Sequence, residues 1–292
     1  MIEFISLTVT AMVPFLLVAQ GTMISGRAGI FNVSQEGLML VGAAVGYLVS
    51  LEVGSNTVGL LAAAAAGAVF GLILAWVTTY LRMDQFVAGL ALFFLATGVA
   101  SLLYRVVIGQ DQPPRIPPLP EVLFGQNLMV YLAIALSIGL WWWLYRTDAG
   151  MRLRSVGENP KSADSLGVNV AATRMWAGTL GAALMAMGGA YLPMVFAGTY
   201  ADGVVAGRGW LAIALAFFGG WRPQFILLGG AFFAAMDVLA QRAQVIGIGI
   251  PHQFVSMLPY LATLLVMVFA FRWARVPQFL GRNYDRESRL VG

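Results

Sequence analysis

The sequence has no cysteine and a single histidine, His252. Disulfides and thiolate metal sites are therefore excluded, and a histidine-built metal centre has no ligand set to draw on. Charge is scarce too: Asp, Glu, Lys and Arg make up 10% of the chain, where a soluble domain carries about 25%. The net charge of +4 does not point to nucleic acid, because the arginines lie between apolar runs rather than in one patch. What fills the chain instead is apolar: 60% hydrophobic residues and a mean hydropathy of +0.82. A soluble protein of 292 residues could not bury that much apolar surface. The composition specifies an all-α, polytopic helical membrane protein.

Apolar runs long enough to cross a bilayer fall near 4–26, 29–51, 57–81, 86–108, 127–145, 175–197, 204–221, 223–241 and 253–272. These predict one transmembrane domain over 1–292 with about 8–10 crossing helices. The first run follows an acid, Glu3, and is too long for a signal-peptide core, so it is expected to be a membrane helix rather than a cleaved leader. With the N-terminus outside, thirteen of the Lys and Arg residues fall on cytoplasmic ends, against Arg105, Arg115, Arg208 and Arg242 outside. That asymmetry fits the positive-inside rule. The proline-rich stretch "GQDQPPRIPPLPEVLFGQ" is then an extended external connector.

Two of these runs make poor membrane helices. The second carries Asn32, Gln35 and Glu36, and the seventh has only about 20 Å of uncharged helix between Arg208 and Arg222. Interrupted segments at matching places in two halves point to a transporter's central site. Ala28, Gly29 and Gly42 recur as Ala206, Gly207 and Gly220 at an offset of 178, which predicts an internal inverted repeat. Glu36 is open to two readings: a group that hydrogen-bonds solute, or a carboxylate satisfied by nearby backbone N–H groups. Asp237 is likewise either a pathway group or a helix-paired acid, with Gln241 on its face. Trp210, Phe217, Phe218 and Trp221 offer rings for a flat solute, or ordinary interfacial and lipid-facing bulk. The run Trp141–Trp143 reads as an interfacial belt, and the Gly/Ala-rich runs read as close helix packing.

One stretch breaks the apolar pattern: "RLRSVGENPKSADSLGVNVAATR", Arg152 to Arg174. Asn159 is suited to cap a helix, Pro160 to its first position and Gly167 to its end, with Asn169 capping the next helix. Ala163 and Leu166, three apart, are expected on one face. A helix of two turns is unstable alone, so it is either a well-capped turn or a piece held by packing against something else.

"VGENPKSADSLGVNV" resembles the cytoplasmic coupling motif of permease subunits in bacterial ABC importers, in the branch that takes up simple sugars, nucleosides and branched-chain amino acids. "GRAGIFNVSQEGLMLVGA", "GRGWLAIALAFFGGWRP" and "MLPYLATLL" resemble further blocks of that branch. The G-E-N-P-x-x-A-x-x-x-G spacing with N-x-x-x-E-G is most similar to the nucleoside-type permeases. The resemblance implies a multi-pass protein of the bacterial plasma membrane with three partners: a second, paralogous permease, a cytoplasmic ATPase and an external substrate-binding lipoprotein. It places Gly157, Glu158, Asn159, Pro160, Ala163 and Gly167 at the ATPase contact, joined by Leu166. It also sets Asn32, Glu36 and Gly37 near the pathway, where Gln35, Trp210, Phe217 and Asp237 are further candidates. No G-x-x-x-x-G-K-[ST] loop is present, so ATP hydrolysis belongs to another chain. No cofactor is expected. The scarcity of ionisable groups in the spans favours a neutral, hydrogen-bonding solute, nucleosides first and sugars or branched-chain amino acids second. An ion-coupled carrier would need more than Glu36 and Asp237, and an intramembrane enzyme has no Ser–His arrangement to use.

Overall fold

The computed structural model describes residues 2–109, 113–201, 203–246, 254–255, 257–270 and 276–285. Four long helices come first: α1 (Ile2–Arg27), α2 (Gln35–Val53), α3 (Asn56–Thr79) and α4 (Gln85–Ile108). A two-strand hairpin, β1 (Glu121–Leu123) and β2 (Gln126–Asn127), leads into α5 (Leu128–Arg146). Two short helices follow, α6 (Asp148–Glu158) and α7 (Pro160–Ser165), then α8 (Val170–Leu192), extended by a π-turn at Pro193–Ala197. The described chain continues with α9 (Arg208–Phe218), α10 (Pro223–Ile246) and α11 (Leu258–Ala270). Among the described residues seven helices are long and apolar enough to cross a membrane. Each expected run contains a helix, but α9, with 11 residues, is about 16 Å long, half a hydrocarbon core.

Small residues set the packing. α8 lies at the centre, against α1, α2 and α3. A β-carbon at Gly42 would collide with the Ala186 carbonyl, one at Gly189 with that of Met39, and one at Gly21 with that of Gly181. Helix backbones touch at these points, which is how apolar helices gain dispersion contact in a solvent as apolar as themselves. Polar ties are few and buried: Gln20 with Ser137, and Asn127 donating to the Tyr191 hydroxyl at 2.8 Å.

The two ends of the bundle are distinct. At one end, Arg27 donates to the Trp221 carbonyl and faces Glu158, Phe279 N–H bonds the Gly157 carbonyl, and Arg82 pairs with Asp285. This end gathers the α3–α4 turn, α6, α7, the α9–α10 turn and segment 276–285, the described regions expected in the cytoplasm. At the other end, Glu3 pairs with Arg242, and the proline-rich stretch runs extended across α2, α3 and the π-turn through Tyr47–Pro114, Asn56–Pro117 and Ile116–Gly198 bonds. The β-hairpin at its end was not foreseen. Arg272, Arg275, Arg286, Arg289 and His252 lie outside the described residues.

Packing is also reciprocal. α8 contacts α2 and α3, while α1, its partner, contacts α9 and α10. The offset of 178, expected to mark an internal repeat, does not describe this arrangement. Gly42 sits mid-helix against Ala186, whereas Gly220 sits in a turn at φ +53. The elements that meet are instead the first turns of α2 and α9.

Candidate pathway site and coupling loop

The segment between α1 and α2 is not helical, so α2 begins at Gln35 rather than near residue 29. Gly29 turns the chain at φ +83, and Ile30 N–H bonds the Ser25 carbonyl. The Asn32 carboxamide oxygen accepts from Ser34 N–H at 2.9 Å and the Ser34 hydroxyl at 2.6 Å. Gln35 Nε2 closes the same turn on the Asn32 carbonyl at 3.0 Å. Asn32, Ser34 and the Gln35 Nε2 group thus order the entry to α2, in the manner of an Asx-turn, while Gln35 Oε1 is buried without a partner among the described residues.

Glu36 reaches across to another element. Its carboxylate accepts from the backbone N–H of Gly207 and of Gly209, each at 2.8 Å. These amides belong to the N-terminal turn of α9, unsatisfied by the helix itself. Ala206 and Gly207 take positive φ of 49 and 78 to present them. Gly209 is needed for a different reason: a β-carbon there would overlap the Glu36 backbone. The first turns of α2 and α9 therefore meet head to head on one carboxylate, an anion at a helix N-terminus. Gly37 packs on the Phe93 backbone, about 12 Å along α4 from its first residue. The site consequently lies about a third of the way along α4, deeper than the cytoplasmic end of the span.

Beside it, Arg208 pairs with Asp237 at 2.8 Å, both side chains about four-fifths buried. This overturns the external position expected for Arg208: it opens α9 inside the bundle. Asp237 is thus helix-paired, about 21 Å along α10. Tyr260 donates to the Ala206 carbonyl at 2.9 Å, and a cavity of about 320 Å³ opens between Arg208, Asp237, Gln241, Gln244 and Tyr260. Trp210 is 40% exposed with its ring edge on Phe93. Phe217 is packed between Phe31 and Trp221, and Trp221 is fully buried over Gly26. Of the four aromatics proposed for stacking, Trp210 is the most exposed. Sequence reasoning missed Arg208, Gly207 and Gly209 as a unit. Two glycines flanking an arginine at the head of a short apolar run were the available signal.

The polar stretch folds by its own caps. Asn159 accepts from Ser162 N–H at 3.0 Å, Pro160 opens α7, Gly167 ends it at φ +82, and Asn169 accepts from Ala172 N–H at 2.9 Å. Gly157 lies against the Arg27 carbonyl, where any side chain would collide, and Glu158 stands 3.6 Å from Arg27. Ala163 and Leu166 do not share a face. Ala163 is 1% exposed, packed among Val156, Val168, Val170 and Tyr284, whereas Leu166 is 84% exposed. The helical register fails because α7 stops at Ser165, so Leu166 is already turning away. Pro160 and Ala163 form the inner face of the loop. Lys161, Ser162, Ser165 and Leu166 form its outer face.

Comparison with known proteins closes the identification. The profile of the family described as "Branched-chain amino acid transport system / permease component" matches residues 4–270. The chain is 35% identical to the nucleoside ABC transporter permease NupC of Lactococcus lactis subsp. cremoris, over 94% of both chains. It is 32% identical to the guanosine ABC transporter permease NupQ of Bacillus subtilis, again over 94% of both. It is 31% identical to TsgC13 of Haloferax volcanii, provisionally named a glucose ABC transporter permease, over 96% of both. No solved structure matches the chain. Helices that span a membrane, a capped polar loop at one end and these relatives agree: the chain belongs to the branched-chain amino acid transport system permease family and is a multi-pass ABC transporter permease of the plasma membrane, a class that works with an ATPase and a substrate-binding protein.

Proposed function

We propose that this permease forms half of the translocation route for a nucleoside, paired with a second, paralogous permease subunit. The observation that carries the reading is the Glu36 cradle. Two helix N-termini are joined at membrane depth by a carboxylate whose charge is already matched. The neighbouring Arg208–Asp237 pair is matched as well. Charge-paired walls suit a neutral solute that exchanges hydrogen bonds, and exposed Trp210 offers a ring for a flat base. Relatives named for nucleosides and guanosine, similar over nearly their whole length, support the same choice.

The route works by alternating access. ATP-driven closure of the ATPase subunits pushes on the outer face of α7, and Asn32, Gln35 and Glu36 hold the α2 entry to α9 so that both shift as one. Gly157, Glu158, Asn159, Pro160, Ala163 and Gly167 shape this loop, with Pro160 and Ala163 on its inner face, and Leu166 makes the contact. Proteoliposomes carrying the whole importer test the reading, with labelled guanosine, glucose and leucine supplied in turn. ATP-dependent accumulation of guanosine alone is the expected result. Accumulation of glucose or leucine instead would replace the nucleoside assignment.

A further inference from the structure

Segment 276–285 is a polar, non-helical part of the described chain, and at the cytoplasmic end it touches the loop, the entry of α2 and the α3–α4 turn. Towards the loop, Phe279 N–H bonds the Gly157 carbonyl at 2.9 Å, Gln278 N–H reaches Glu158 at 3.4 Å, and the Tyr284 hydroxyl donates to Asp164 at 3.1 Å. Towards the entry of α2, Gly281 N–H bonds the Gly29 carbonyl at 3.2 Å. Towards the α3–α4 turn, Asp285 pairs with Arg82 at 2.7 Å, and Asn283 Nδ2 donates to the Met83 carbonyl at 3.1 Å.

Two buried side chains fasten these contacts together. Gln85, 1% exposed, donates through Nε2 to the Gly29 carbonyl at 3.3 Å and the Arg282 carbonyl at 3.2 Å. Its Oε1 accepts from Phe31 N–H at 2.7 Å. Arg174, also 1% exposed, donates to the same Arg282 carbonyl at 2.9 Å and lies over the Phe279 ring. Pulling the segment from the Gly29–Phe31 turn would strand buried polar groups without partners. The lower-cost response to a push is for segment and turn to shift together. The turn leads directly through Asn32 and Ser34 to Glu36.

We propose that segment 276–285 is the transmission strap of this permease, carrying displacement of the α6–α7 loop into the Gly29–Phe31 turn and on to the Glu36–α9 junction. Gln85 and Arg174 are its positioning residues. The proposal rests on the reading of α6–α7 as the ATPase-facing loop.

The whole importer in proteoliposomes supplies the test, with ATPase retention, ATP hydrolysis and solute moved per ATP measured separately. Gln85→Glu keeps an acceptor for Phe31 but turns the donor to Gly29 and Arg282 into a second acceptor. It should retain the ATPase and its hydrolysis while transport per ATP falls about tenfold, a mid-range loss of coupling between two sites. A second variant joins Glu158→Cys to Gln278→Cys, exposed positions on main chains already bonded side by side in a chain with no other cysteine. Oxidised, it should transport at the rate of its own reduced form, because loop and strap travel as one body. Normal coupling in Gln85→Glu, or arrest by that disulfide, would overturn the proposal. If Gln85→Glu does not assemble, the disulfide decides alone. Leu166→Asp, run in parallel, probes the underlying reading: it should release the ATPase, and retention there refutes the loop assignment, whereas the two strap variants refute only the strap.

Discussion

Replacing Glu36 by leucine removes the acceptor of two backbone N–H groups, Gly207 and Gly209, at a depth where water does not readily replace it. Leaving a buried donor unpaired costs about 1–3 kcal/mol, so the two together represent roughly 2–6 kcal/mol before relaxation. Relaxation is restricted on one side, because Gly209 is already against the Glu36 backbone and Tyr260 crowds Gly207. Glutamine is a milder change: its carbonyl can keep one of the two amides, although without the charge that strengthens such bonds. The expected order is wild type, then Glu36→Gln with normal assembly and reduced uptake, then Glu36→Leu with both impaired. Detergent-solubilised thermal stability and ATP-dependent uptake, measured on the same preparations, give the two readouts. If Glu36→Leu matches wild type in both, the carboxylate does not join α2 to α9.

Other consequences follow from the same contacts. Gly209→Ala, which retains the amide but adds a β-carbon where the Glu36 backbone lies, should lower uptake as Glu36→Gln does; wild-type uptake would show that the helices can part there. A double-mutant cycle on Arg208→Ala and Asp237→Ala should yield a coupling of about 1–2 kcal/mol in stability, as expected for a mostly buried pair; additive losses would mean the pair is incidental. Gly189→Val forces a branched side chain into the Met39 carbonyl and should cost about 1–3 kcal/mol by overpacking, read as a lower unfolding temperature. Ala163→Asp should damage the loop itself, because the residue packs on Val156 and Val170; a loop-protease assay should show faster cleavage, and an unchanged rate would contradict the burial. An impermeant thiol reagent on intact cells should label Ser55→Cys at the outer α2–α3 turn and spare Ser162→Cys; the reverse pattern would invert the topology.

The sequence made some parts of this architecture legible because their causes are local. Apolar runs locate the helices, and Asn159, Pro160, Gly167 and Asn169 act within a few residues of themselves, so the capped loop can be read directly. Glu36 could be recognised as an expensive group, but not its partners, which lie 171 and 173 residues further on. Arg208 looked external because charge ordinarily marks a helix end at water, and here it marks the head of a half-length helix inside the bundle. The opposite facing of Ala163 and Leu166 was hidden because one residue of helix more or less decides it. Segment 276–285 carries no apolar periodicity, so its role as a strap is visible only once Gly157, Gly29 and Arg82 are seen side by side.

The most direct test of the account is a cryo-electron microscopy map of the assembled importer in lipid nanodiscs. It should show the Glu36 carboxylate at membrane depth within about 3 Å of the Gly207 and Gly209 amides, and Leu166 pressed into the ATPase subunit. A carboxylate turned into open water with α9 detached from α2, or an ATPase seated away from α7, would contradict it.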